Sequence, residues 1–261
     1  MWIRAGMAAL AVLCGCGCAA VAPPTTPVPP SARPARPVVA AARPVVAPAR
    51  PVVAPARPVV AAARPVVAAA ASQTTGQLVT VIAASYRSTR AELTAYKRVG
   101  GQWRRVFGPW TAWIGRNGMA PPGAKREGDG RTPSGTFGFG FFFGVAPDPG
   151  VRFPYRRVHP YDVWDDDPSS PLYNLWVDDR QASPGADPEP MDVSAYDYGA
   201  VIAYNTARTP GLGSAIFLHI NIGTPTAGCV TLPAGELLEI LRWLNPAGSP
   251  RITMGIHAQG T

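Results

Sequence analysis

The stretch FLHINIGTPTAGCVTL, Phe217 to Leu232, reads as a strand, a turn and a second apolar segment. Ala215 to Ile220 has strand composition, Gly223-Thr224-Pro225-Thr226 is a turn, and Cys229-Val230-Thr231-Leu232 returns as a short apolar run. A hairpin or near-hairpin here brings His219 and Cys229 onto neighbouring backbones. A thiol at its free pKa of about 8.5 is mostly protonated at neutral pH, and a neighbouring imidazole can take that proton. The pair therefore reads as a nucleophile and its base. Gly228 allows close approach of a substrate to the backbone, and N–H groups at such a bend can hold an oxyanion. Spacing alone leaves plainer readings open: a lone cysteine is often a small buried hydrophobe, and a strand histidine is often a hydrogen-bonded structural residue.

Working outward, the pattern is one of strands separated by Gly and Pro clusters. Leu78 to Ala84, Ala91 to Val99, Trp103 to Phe107, Thr111 to Gly115, Gly135 to Phe143, Gly199 to Asn205, Ala215 to Asn221 and Arg251 to Ile256 are the candidates. Gly100-Gly101 makes a hairpin of the second and third. One helix is expected, from about Ala234 to Leu244, with Leu237, Leu238, Leu241 and Leu244 on its buried face and Asn245-Pro246 ending it. The fold class is mostly β, a sandwich or barrel with one short helix after the cysteine segment. Residues 72–261 have the length of one domain that buries a core unaided.

The first 22 residues hold one early charge, Arg4, and the apolar run Ala5 to Leu13, a signal peptide too short to span a bilayer. Leu13-Cys14-Gly15-Cys16 resembles the lipobox of bacterial lipoproteins, with Cys16 as the residue to be lipidated; a freely secreted form cut near Ala20 is the alternative. The expected location is the cell envelope, facing the wall and anchored to the membrane if Cys16 is lipidated. Cys14, Cys16 and Cys18 belong to this segment, so residues 72–261 hold Cys229 alone. An unpaired thiol in an oxidising compartment needs a reason, and catalysis is one.

Residues 23–71 repeat the unit Ala-Arg-Pro-Val-Val-Ala-Ala, with arginines at Arg36, Arg43, Arg50, Arg57 and Arg64. A proline in every unit excludes a heptad helix and favours an extended spacer reaching up to ~150 Å at about 3.1 Å per residue. Arg4 and the six spacer arginines from Arg33 to Arg64 supply seven of the formal +8 charges, leaving the globular part nearly neutral. Nucleic acid is excluded as a partner, since the arginines have no aromatic platform among them. Anionic envelope polymers are the partners expected of the spacer, or the charge serves only to keep it soluble.

Upstream, GDGRTPSGTF (Gly128 to Phe137) contains a turn at Thr132-Pro133-Ser134-Gly135. Together the two segments resemble the L,D-transpeptidase catalytic domain (YkuD-type), and within it a divergent exported branch with an Ala-Gly-Cys-Val ending. Thr132, Pro133, Gly135 and Phe137 match the family's first motif; His219, Thr226, Gly228 and Cys229 match its second. The likeness covers about Leu78 to Gly255. It implies an exported enzyme acting on peptidoglycan stem peptides without a cofactor or metal, with Cys229 as nucleophile, His219 as base, and Gly228 and Thr226 positioning the oxyanion and substrate. Asn221, two residues after His219, can orient the imidazole or serve as a structural amide. Ala227 stands where many members have His, and Thr231 where many have Arg or Asn, which alters the pocket rim. Three functions follow: a transpeptidase making 3-3 type cross-links or remodelling the wall, an L,D-carboxypeptidase on the same scaffold, or a non-catalytic, tethered wall-binding protein.

Between the motifs, Tyr161 to Tyr198 is rich in aspartate, with Trp164, Tyr173, Trp176 and Tyr196 interleaved. It reads as a lid offering stacking surfaces and carboxylates, or as a solvated loop. Asp165-Asp166-Asp167 lacks the alternation of a calcium loop, and His159 and His257 have no partners at metal-ligand spacing.

Overall fold

Strand β1 (Gln77–Ala83) is apolar on both faces, and six of its seven residues are buried, so it lies within the sheet rather than at its rim. It pairs antiparallel with β2 (Arg90–Val99), which pairs in turn with β3 (Gln102–Trp113). The tight turn between them is Gly100-Gly101, both at positive φ, as a two-residue hairpin turn demands. The segments expected as separate strands at Trp103–Phe107 and Thr111–Gly115 are one strand, β3. Its register slips opposite Thr94, where Gly108 and Pro109 face a single partner residue; proline has no N–H for the ladder, so the slip falls there.

This is a computed structural model, and it describes residues 75–257. The signal segment 1–22, the spacer 23–71 and Cys16 lie outside the described residues. After β3 come β4 (Met119–Ala120), β5 (Thr132–Pro133), β6 (Gly135–Phe137), β7 (Phe139–Gly144), β8 (Tyr155–Arg157), β9 (Asp162–Asp165), β10 (Leu175–Asp178) and β11 (Glu189–Pro190). Then follow β12 (Gly199–Ile202), β13 (Phe217–Ile220), β14 (Val230–Leu232), helix α1 (Ala234–Trp243) and β15 (Arg251–Ile256).

The main sheet has ten strands in the order β6-β15-β1-β2-β3-β14-β13-β12-β7-β8. Strands β6 and β7, read in the sequence as one strand from Gly135 to Phe143, are separated by Gly138 alone, yet β6 ends the sheet on one side and β7 is next to last on the other. A one-residue link cannot cross a flat sheet of that width, since strands lie about 4.8 Å apart. The sheet curls until its two ends meet, giving a half-barrel with its apolar face inward. The fold is mostly β, with one α-helix among the described residues.

Helix α1 closes one flank. Leu237, Ile240, Leu241 and Leu244 are fully buried against the strands. Ile240 takes the place that the sequence reading assigned to Leu238, which is only partly buried.

Two expectations are corrected. Strands β13 and β14 do not form a hairpin: they run parallel, with Leu218 opposite Val230, His219 opposite Thr231 and Ile220 opposite Leu232. The chain loops over between them through residues 221–229. The aspartate-rich segment is also no plain solvated loop. It builds a second sheet, β10-β9-β11, because Val163, Trp164 and Val177 are buried and Asp162 and Asp165 are buried with them.

Candidate active site

Three elements fix the position of Cys229. The Thr226 hydroxyl donates to the Cys229 carbonyl at 2.7 Å, and the Thr132 hydroxyl donates to the same oxygen at 3.4 Å. Thr132 also accepts the Gly115 N–H at 2.9 Å. The two sequence motifs thus converge on one carbonyl, and Thr132, which the turn composition alone assigned a structural part, anchors the cysteine from below. Gly228 is needed for packing: a Cβ there would lie 3.0 Å from Ile216 Cδ1 and 3.1 Å from the Arg131 carbonyl. Its N–H donates to the Thr226 hydroxyl at 3.1 Å.

The thiol points under β13. It donates to the Ala215 carbonyl at 3.2 Å and accepts the Phe217 N–H at 3.4 Å. Around it pack Phe143, Trp164, Tyr196 and Phe217, all buried. Burial pushes the thiol pKa well up, and the Glu189 carboxylate pushes the same way; the Phe217 N–H and the Lys125 ammonium oppose them without prevailing. The resting sulfur is a neutral thiol.

His219 sits on the same sheet face, since side chains two apart along a strand share a face and His219 is in register with Thr231, two residues beyond Cys229. The imidazole is 6% exposed. Its Nδ1 lies 3.0 Å from the Ile220 carbonyl and 3.2 Å from the Ala195 carbonyl. Carbonyls only accept, so Nδ1 carries the proton and Nε2 the lone pair. Burial lowers the pKa from 6.5 to about 4, against the two carbonyls, which raise it. The ring is neutral at pH 7 and available as a base. Tyr196 packs edge-on against it, with centroids 4.9 Å apart.

Asn221 does not orient the imidazole. Its Oδ1 accepts the Gly223 N–H at 2.6 Å and so shapes the turn after β13; the orienting groups are the two carbonyls.

His219, Cys229, Thr226, Gly228 and Thr231 line one cavity of about 510 Å³. Its mouth carries Ile222, 65% exposed, and Val193. The cavity lining also includes Lys125, Glu127, Asp166, Glu189 and Tyr196, none of which the sequence reading assigned to the catalytic site. The Tyr196 hydroxyl donates to Glu189; Tyr173 and Ser214 hydroxyls donate to Glu127, the latter at 2.7 Å. The aromatic and acidic interleaving of Tyr161 to Tyr198 was the signal for three of these five, Asp166, Glu189 and Tyr196. Nothing in the sequence distinguished Lys125 and Glu127 from ordinary loop charges. Among the described residues no cluster of His, Cys, Asp and Glu has the arrangement of a metal site.

The family model described as the L,D-transpeptidase catalytic domain (YkuD) matches residues 83–252, about two thirds of the chain. No curated protein matches. Among solved structures, the helical cell shape determining protein Pgp2 from Campylobacter jejuni is similar at 14% identity with a TM-score of 0.37. That likeness covers 70% of this chain and 49% of the other, so the chain spans about half the length of that protein.

Proposed function

Because the chain belongs to the L,D-transpeptidase catalytic-domain family, we propose that it performs cysteine-dependent acyl transfer on peptidoglycan stem peptides. The observation that carries this reading is the lining of one cavity by a buried cysteine and by a neutral histidine whose Nδ1–H is tied to backbone carbonyls. In the reaction, His219 Nε2 takes the Cys229 proton as the sulfur leaves its bond to Ala215. The thiolate adds to the carbonyl of the third stem residue. The C–N bond to the terminal D-Ala breaks, and the imidazolium returns its proton to the departing amine. This leaves a thioester on Cys229. An acceptor amine from a second stem then forms the new amide, and its proton passes through His219 to regenerate the thiol. Water in that step makes the product of an L,D-carboxypeptidase.

Negative charge on the tetrahedral oxygen falls to the N–H groups of Gly228 and Cys229. Gly228's N–H is held by Thr226 at rest, so it serves only if the hydroxyl gives way. Export, lipidation at Cys16, and a spacer that carries the domain into the wall complete the proposal.

The test is intact mass spectrometry after incubation with a carbapenem, an acylating mimic of the substrate. A single adduct on the wild type that is absent from Cys229→Ala supports the reading. A folded, reduced protein that takes no adduct means Cys229 is a packed residue, and the chain binds the wall without turning it over. Products from a stem tetrapeptide, with and without acceptor, separate transfer from hydrolysis.

A further inference from the structure

The nearly neutral charge of the globular part is the sum of two opposed regions. Tyr161 to Tyr198 holds ten carboxylates against one arginine, whereas the end of the β2-β3 hairpin, residues 96–106, holds Lys97, Arg98, Arg104 and Arg105 and no carboxylate. That end projects from the sheet. Strand β1 begins at Gln77, opposite Lys97, and β14 meets β3 at Trp113. Past Arg98, whose N–H donates to the Gly76 carbonyl at 2.9 Å, the described residues give the ribbon no third strand.

The register of this ribbon sets like charges side by side. Lys97 lies directly opposite Arg104, and both are exposed. Arg105 opposes Tyr96, and Arg98 opposes Trp103 and lies 6.0 Å from the centre of its ring. Alternation along each strand puts these last two cations on the face away from Lys97 and Arg104. Directly opposed like charges destabilise a strand pair, and among the described residues no carboxylate is ion-paired to Lys97, Arg104 or Arg105. An anion brought to the ribbon offsets that repulsion.

Apolar surface accompanies the charge. Val99, beside the Gly100-Gly101 turn, is 48% exposed, Val106 is 40% exposed, and Trp103 is half-buried. A soluble polyanion satisfies the cations alone. An anionic bilayer satisfies both, since its headgroup phosphates attract Lys and Arg and the boundary beneath them takes Trp and other apolar side chains. An apolar tip collared by cations on both faces fits a surface met end-on.

We infer that the end of the β2-β3 hairpin docks on an anionic phospholipid surface, with Val99 and Trp103 at the headgroup boundary and Lys97, Arg98, Arg104 and Arg105 against lipid phosphates. Docking at this end also sets the height of the cavity. Trp113, ten residues along β3 from Trp103, pairs with Thr231 of the cavity lining, so at about 3.3 Å per residue the strand holds the cavity roughly 30 Å from the lipid.

The experiment measures co-sedimentation of the chain without its signal segment, residues 23–261, with vesicles of phosphatidylcholine containing phosphatidylglycerol and with vesicles of phosphatidylcholine alone. The spacer arginines are common to every variant, so their contribution drops out of the comparison. Lys97→Gln/Arg104→Gln is expected to bind the anionic vesicles at least tenfold more weakly than the wild type, and Val99→Ser at least threefold more weakly, with near-UV circular dichroism unchanged in both. In the wild type, amide hydrogen exchange over residues 96–106 is expected to slow when anionic vesicles are added and to stay as it was with phosphatidylcholine. Undiminished binding by the double variant, or exchange over 96–106 that anionic vesicles leave unaltered, overturns the docking site. A loss in the double variant that Val99→Ser does not share, together with equal binding of soluble polyphosphate by the wild type and Val99→Ser, overturns the lipid surface in favour of a soluble polyanion.

Discussion

At Cys229 the question is how a sulfur held as a neutral thiol becomes a nucleophile. Burial and Glu189 hold the proton on, and the bond to the Ala215 carbonyl gives it an acceptor. Iodoacetamide at pH 7 should therefore alkylate the folded protein at least tenfold more slowly than a free thiol, with the rate still rising above pH 9. His219 behaves in the opposite sense. Its pKa, lowered from 6.5 to about 4 by burial, keeps Nε2 unprotonated down to mildly acidic pH. Carbapenem acylation should thus lose its base near pH 4 rather than 6.5. His219→Ala should slow acylation by two or more orders of magnitude, while circular dichroism remains that of the wild type. A pre-steady-state pH profile with its acid limb at 6.5 would remove His219 as the base in this environment.

At the scale of elements, the segment 221–229 decides the site. Two parallel strands usually need a crossover of a dozen residues or more. Here nine residues suffice, because the loop is clamped where Thr226 bridges the Gly228 N–H and the Cys229 carbonyl and where the Thr226 backbone bonds Ile114 and Arg116 at 2.9 and 2.7 Å. Thr226→Val removes two side-chain bonds and keeps the shape. It should cost about 1–3 kcal/mol in urea denaturation and slow acylation by more than tenfold, since the carbonyl it releases belongs to the nucleophile. The sequence made His219, Cys229 and both motifs visible because residue type and spacing carry that information. It did not reveal the parallel pairing, since a short apolar run after a Gly-Pro turn looks the same whichever way the partner strand runs. Nor did it separate Asn221 as a turn former from Asn221 as a partner of the imidazole, a difference made by where the Gly223 N–H points. Helix α1 was legible through its leucine spacing, whereas Ile240 over Leu238 depended on which side the sheet lies. Leu241→Ala, emptying a fully buried position, should cost about 2–5 kcal/mol by the same denaturation.

For the whole molecule, the curl that lets β6 and β7 lie one residue apart draws residues from both halves of the chain around one cavity. That closure puts Glu127, before β5, in one cavity with Asp166, just past β9, and Glu189 on β11, a meeting no local pattern could announce. The global consequence is a pH dependence. Glu189 is raised from 4.5 to about 7 and Asp166 from 3.8 to about 6, in each case first by desolvation. Between the unfolded and folded pKa values the folded state holds protons that the unfolded chain has released, so each group lowers stability as pH rises through that window. His219 works against them: folded, it refuses a proton that the unfolded imidazole takes below 6.5, so its contribution is lost as pH falls toward 4. The opposition would flatten a wild-type profile, but it is common to wild type and Glu189→Gln and cancels in their difference. Glu189→Gln should match the wild type in Tm at pH 4, gain on it progressively as pH rises from 4.5 to 7, and hold a constant advantage above. A difference in Tm that stays flat across this range would mean that Glu189 carries no such burden in the folded protein, its carboxylate being as well stabilised there as in the unfolded chain.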